Sequence, residues 1–363
     1  MMRTVLRSLG IALLFQLSAF AKCPITDGGS LIVRAPIGNL HVDTTGRDAA
    51  DVTVNSKEIE IKETCTKDRV EITADAPPQI RATVDWTVVV PRTANLDLVT
   101  LGGSINMGDS DGAVTLRTTG GTVTVGRIKG KAAIITQGGF IKTGDIGDSA
   151  ELRVSAAGSL QVGNIAGNAE LHTAGGPITA GVISGKVNAS AVGGTINIKE
   201  ATGEVVANAD GGDILIGEAA RINANTSGGN IRSVRVRGPF KGRTESGNIR
   251  LENAAAWVEA YTGQGEIFCR LMPANYADDL HVELQTGIGD ITIYVPERMK
   301  ATFDATVERP TFSQRIYSDF PGSTISGNRI PSFAPVQSHF AANGGGNLVR
   351  LHTSLGKIEI RKQ

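Results

Sequence analysis

Glycoside hydrolysis needs two carboxylates flanking one bond, and lyase chemistry needs a basic residue among acids. The acids whose spacing comes nearest to this demand are Asp145 and Asp148, with Asp109 and Asp111 as a second pair, and all four fall in glycine-rich turns. Asp213 and Asp290 each follow a glycine, where Asp is an ordinary corner residue because its side chain bonds nearby backbone. The acids are dispersed along the chain, so no catalytic residue is assigned. His41, His172, His281, His339 and His352 stand singly, without metal-ligand spacing. No Gly-x-Ser-x-Gly elbow, dinucleotide loop or P-loop occurs, and the glycine-rich calcium nonapeptide is absent. The expectation is a chain without catalytic centre, metal or cofactor.

The one local concentration of charge is basic: Arg232, Arg235, Arg237, Lys241, Arg243 and Arg250. Reading Val234, Val236, Phe240 and Gly242 as inward leaves these cations facing solvent. Arg232 and Arg250 share an offset in adjacent repeats and repel unless an anion lies between them. The cluster is therefore a candidate site for an acidic glycan or a lipopolysaccharide phosphate. The competing reading is a solvated face neutralised by Glu218, Glu245 or Glu252. Lys+Arg and Asp+Glu balance at 36 each, leaving no global field to attract nucleic acid or an anionic membrane. Between Gly102 and Ala256 the aromatics are Phe140 and Phe240, too few for a line of sugar platforms. Trp257, Tyr261, Phe268, Tyr276 and Tyr294 follow, and are expected to pack against a C-terminal insert.

What positions these residues is a repeat. Glycine pairs or their remnants recur from Gly102-Gly103 to Ile288-Gly289, the second glycines separated by 18, 18, 19, 18, 18, 18, 17, 18, 18 and 24 residues. Two residues after each stands an aliphatic such as Ile105, Val123, Ile141 or Leu160, followed by a polar and then a mostly apolar residue. That alternation marks a strand with one buried face. A second strand precedes each pair, as in Val114-x-Leu116 and Leu152-x-Val154, and a turn between them carries Ile128, Ile146, Ile165 or Ile183. Glycine is expected at these corners for its positive φ. Thr or Ser three residues before the second glycine, from Thr100 and Thr118 through Ser155 to Thr286, is expected to form a hydroxyl ladder.

The reading is an all-β chain, a parallel β-solenoid or β-helix of about 18 residues per rung, whose core of stacked small aliphatics explains an aromatic content of only 4%. Residues 1–21 read as a signal peptide, with Arg3 and Arg7, an apolar run from Leu9 to Leu17, and Ala19-Phe20-Ala21 as cleavage site. Residues 22–100 form an N-terminal β cap, 101–295 the repeats, and 296–363 an insert (Glu308 to Asn343) and a closing repeat at Thr353 to Ile360. The chain is thus expected to be exported to periplasm, envelope or exterior, without an integral membrane segment. An oxidising compartment permits a Cys23–Cys65 bridge, which the sequence leaves open. Cys269 is read as a buried, inert thiol.

The Gly-Gly-x-Ile rungs with a preceding Thr, the strand ending in Val295-Pro296, and the glycines Gly344 to Gly346 leading to Leu355-Gly356-Lys357-Ile358 resemble the bacterial putative-adhesin family. Its members are exported or envelope-tethered glycine-rich β-solenoids, and the likeness spans residues 30 to 363. The resemblance implies an envelope or surface location and an adhesive or scaffolding role, and brings no catalytic residues. The alternatives are a polysaccharide lyase or hydrolase on the same fold, and a structural envelope protein that assembles end to end.

Overall fold

The computed structural model describes residues 19–77, 83–310, 316–323, 325–326 and 334–363. The signal-peptide residues Arg3, Arg7 and Leu9 to Leu17 lie outside the described residues, as do parts of the Glu308 to Asn343 insert. The described residues contain strands, turns and bends but no helix, and the strands join one large, largely parallel sheet.

Two long ladders carry it. In the first, the short strands after the glycine pairs stack in register: Leu40 on Ile105, Ile105 on Val123, Val123 on Ile141, Ile141 on Leu160, and so on to Ile291 on Ile358. In the second, the strands before the glycine pairs stack likewise, from Leu31 on Leu96 through Leu116 on Ile134 to Leu284 on Leu351. A third contact joins the turns, where single bridges link Ser110, Ile128, Ile146, Ile165 and Ile183. From Ile183 the column passes into Ala201, Ala219, Val236 and Ala254. Because equivalent residues fall in register, each inward column is a line of aliphatics, nearly all below 5% exposed. Each such side chain contributes about 1.5–3 kcal/mol by leaving water. The large buried aromatics are few: Trp86, Phe240 and Phe303 lead the fully buried set.

The glycines act mainly through room rather than conformation. Gly103, Gly121 and Gly139 do have positive φ. In the middle rungs, Gly176, Gly194, Gly212, Gly229 and Gly247 do not, yet a Cβ on any of them would stand against the carbonyl of the second glycine one rung before. At Gly121 that approach is 2.6 Å. The same holds at the turns: Gly130 would meet the carbonyl of Gly112 at 2.6 Å without a positive φ. The expectation of positive φ at every corner is corrected accordingly.

The hydroxyl ladder has a definite job. Thr118, Thr226, Thr244, Thr262 and Thr353 each donate to the carbonyl of the preceding rung's second glycine at 2.7–2.9 Å. These threonines are at most 5% exposed, so the bond satisfies hydroxyls that have been taken out of water. Ser155 does not belong to the series. The 19-residue spacing places its extra residue in the corner, and Val154 pairs with Thr136 and Thr173 while Ser155 is exposed. Thr244→Val keeps the shape and removes the donor, and is expected to cost about 1–2 kcal/mol. Urea unfolding checks it, and unchanged stability would mean that the hydroxyl does not matter.

Both ends of the stack turn antiparallel. At the first, Glu60–Cys65 pairs antiparallel with Arg69–Asp75, and Ala49–Val54 lies between Asp85–Pro91 and Ala19–Pro24. The outer strand Glu60–Cys65 is exposed nearly throughout and bears Glu60, Lys62 and Glu63, charges that discourage another chain from pairing with an open edge. At the other end Val349 and Ile358 take their places on the ladders, but Phe303 pairs beyond Val349 and Ile316 beyond Ile358. Strand Val336–Ala342 then covers Ala301–Val307 antiparallel.

Candidate binding face

The acids of the turns are fastened to backbone. Asp145 Oδ1 accepts the amide of Asn164 at 2.7 Å, Asp109 Oδ1 that of Arg127 at 2.8 Å, and Asn164 Oδ1 that of Val182 at 2.9 Å. Asp148 accepts the amide of Ser149 at 2.6 Å. A second column runs just after the glycine pairs, where Asp213, Asn230, Asn248 and Asp290 accept the amides of Asn230, Asn248, Glu266 and Lys357 at 2.7–2.9 Å. Apart from Asp148, which bonds its own neighbour, these side chains bridge one rung to the next where the chain turns between strands. The Arg127 amide and guanidinium hold Asp109 below the usual carboxylate range, and Lys129 and Arg92 do the same to Asp111. A general acid must keep its proton near neutral pH, which a carboxylate so held does not. The sequence reading recognised Asp213 and Asp290 as corner residues but missed the Asx columns, whose only trace is the recurrence of Asn or Asp at one offset.

The basic cluster is divided by the fold. Arg232 and Arg250 are neighbours on the ladder after the glycine pairs, as their offsets require. Lys241 and Arg243 stand on the ladder before the pairs, and Arg235 and Arg237 at the turns. Five of the six cations have acid partners: Arg237 bonds Glu218 at 2.6 Å and Glu200 at 3.3 Å, Lys241 reaches Glu259 at 3.0 Å, Arg243 reaches Glu245 at 3.0 Å, and Arg250 and Arg232 share Glu252 at 2.6 and 3.5 Å. Arg235 makes no ion pair among the described residues. The inward reading of Val234 is also corrected: it is 49% exposed, and Ser233 takes the inward place, its hydroxyl without a partner. Val236, Phe240 and Gly242 do face inward.

The returning aromatics pack on cations and on each other. Arg250 lies 4.0 Å over Phe268, Arg243 4.4 Å over Tyr261, and Arg270 5.1 Å over Tyr294. Trp257 stacks on His281 at 5.2 Å. Beyond Pro296 the chain forms an aromatic group of its own, Phe303 with Phe320 and Phe340. Among the described residues, the contacts of Trp257, Tyr261, Phe268 and Tyr294 are with these cations, with His281 and with one another, while part of the insert they were expected to pack against lies outside the described residues. Nearby, Glu308 accepts from Ser354 at 2.6 Å and faces His352 Nε2 at 3.1 Å, and its carboxyl is held low, mainly by the Ser354 hydroxyl. A nucleophilic serine needs its hydroxyl on the imidazole; here it is bound to the acid.

A groove of about 610 Å³ crosses the outward side of five successive strands, from Leu160–Val162 to Ile231–Val236. Gln161, Thr179 and Asn197 form one register column along it, continued by Leu215 and Arg232. Lys199 and Val234 line its second side, and no acid lines it.

Cys23 and Cys65 are joined as a disulfide, their Cα atoms 5.8 Å apart, with Glu63 Oε2 3.9 Å from the Cys23 sulfur. These three are the one metal-like grouping among the described residues, and the disulfide takes two of its donors. Lys22, Cys23 and Pro24, which follow the expected cleavage position, pair with Asp51, Ala50 and Ala49. Cys269 is fully buried, and burial pushes its thiol up to about 12.

Fold and face together define an all-β protein of stacked parallel strands with an acid-free groove on one ladder. It is similar to a putative cell adhesion protein from Clostridium sporogenes ATCC 15579, with 10% identity, 96% of this chain and 100% of that one covered, and a TM-score of 0.15. It is also similar to a putative adhesin from Bacteroides fragilis NCTC 9343, with 14% identity, 77% and 97% covered, and a TM-score of 0.25. Both descriptions name the class that the glycine-rich rungs resemble; at these TM-scores neither likeness carries a role across. No family model and no curated protein matches the chain.

Proposed function

We propose that the protein is an exported β-solenoid that binds an extended ligand at the cell envelope or surface and performs no catalysis. The two ladders and the turn column act as the three sides of one coil, each rung advancing the stack by a strand spacing of ~4.8 Å. The observation that carries the reading is the groove across five strands, because its side-chain positions recur at one strand spacing along the stack, as the units of a linear ligand do. The rung acids support the absence of catalysis, since they serve as backbone acceptors.

The test combines location and activity. An epitope inserted between Glu308 and Asn343 is expected to be lost when protease is added to intact cells of the host. Purified protein is expected to be retained on envelope polysaccharide without releasing reducing ends or unsaturated products. Release of such products would replace the reading by an enzyme, and protection of the epitope until the envelope is opened would move the binding role inside.

A further inference from the structure

We infer that the groove is a site for an anionic polysaccharide lying along the stack, across the strands, held chiefly by Lys199 and Arg232. The inference rests on the binding role proposed above and names the ligand class.

The first argument is charge. Acids and bases balance over the whole chain, yet the groove lining contains Lys199 and Arg232 and no carboxylate. The acids closest in sequence are engaged elsewhere: Glu200 and Glu218 both bind Arg237. Arg232 has only a share of Glu252, which lies closer to Arg250, at 2.6 Å against 3.5 Å. One carboxylate between two guanidiniums leaves a net positive charge at that end of the groove. Lys199 has no ion pair among the described residues, and the outward position two rungs before Gln161 is polar and uncharged while Lys142, one rung before it, is again a cation. A groove whose lining carries two cations and no acid is complementary in charge to an anionic chain.

The second argument is geometry. Gln161, Thr179 and Asn197 are exposed and successive in register, so they present hydrogen-bonding groups at intervals of one strand spacing. That interval, ~4.8 Å, is close to the length of one sugar ring in an extended polysaccharide, so successive rungs can face successive rings. Leu215 and Val234 give an apolar patch for a ring face beside the charged end. Five strands span about 19 Å, enough for four rings. A globular partner has no need of this periodicity.

The test uses the full protein and sized, fluorescently labelled oligomers of polygalacturonate and heparin, with dextran as the neutral comparison. The expected result is binding of the anionic oligomers that weakens as salt rises and falls at least tenfold below four sugar rings. Lys199→Ala with Arg232→Ala should weaken it at least tenfold. Lys241→Ala with Arg243→Ala, on the other ladder, should leave it unchanged, and circular dichroism should verify that both variants fold. Binding of only the carboxylated or only the sulfated polymer supports the site and identifies which anion it takes. Equal binding of dextran, or wild-type affinity in the Lys199/Arg232 variant, would overturn the inference while leaving the binding role intact. Retention of none of these polymers nor of envelope polysaccharide would overturn the binding role itself.

Discussion

Gly212→Ala is expected to destabilise the protein by about 3 kcal/mol or more, whereas Gly211→Ala, one residue away, should change stability by less than about 1 kcal/mol. The pair looks symmetrical in sequence. In the structure a Cβ on Gly212 would meet the carbonyl of Gly194 and then the backbone of Thr195, and a Cβ on Gly211 would meet nothing within 4 Å. The obstacle at Gly212 is backbone fixed by strand pairing on both sides, so no rotamer change relieves it, and the ladders must separate locally. Gly211 has neither obstacle nor positive φ, and alanine there narrows the unfolded ensemble, which favours folding by a few tenths of a kcal/mol to about 1. Urea denaturation of both variants checks the contrast. Because neighbouring rungs hold one another, the Gly212 defect is also expected to split one transition into two. Equal stability of the two variants would show that rung-to-rung contact at this corner is looser than the backbone distances imply.

The second large effect is at the first end of the stack. Replacing Cys23 and Cys65 together by alanine opens a loop whose ends are 42 residues apart, and is expected to remove about 3–4 kcal/mol. The loss should be local. Cys23 is buried, but strand Ala19–Pro24 has one antiparallel partner and the outer strand Glu60–Cys65 is exposed nearly along its length, so the crosslink is a large part of what ties the two strands together. Amide exchange is expected to quicken between residues 22 and 77 and to stay slow in strands such as Ile196–Ala209, deep in the ladders. Unchanged exchange in the first end would mean that pairing alone holds the cap.

The ladders were legible in the sequence because a stacked parallel strand repeats its environment every rung. An aliphatic two residues past each glycine pair is the signature of that constraint, and those residues pair with one another from Ile105 to Ile358. The Thr ladder was legible for the same reason, and Ser155 was misplaced because offset counting does not reveal which side of an inserted residue keeps the register. Val234 was misread because a strict alternation was carried through a bend, where Arg235 follows it outward before Val236 turns in.

What the sequence by itself determined is therefore what repeats: the strands, their inward faces and the register. Only the tertiary structure decided what each surface group meets. Six cations close in sequence fell on separate ladders because consecutive strands of a rung belong to different sides, and the charges of five of them were answered by acids as distant as Glu200. Conversely, Gln161, Thr179, Asn197 and Arg232 are far apart in the chain and adjacent in space. Inward positions read directly from the pattern because burial imposes one chemistry on all of them; outward positions are set by neighbours from other rungs, and those neighbours exist only once the stack has formed.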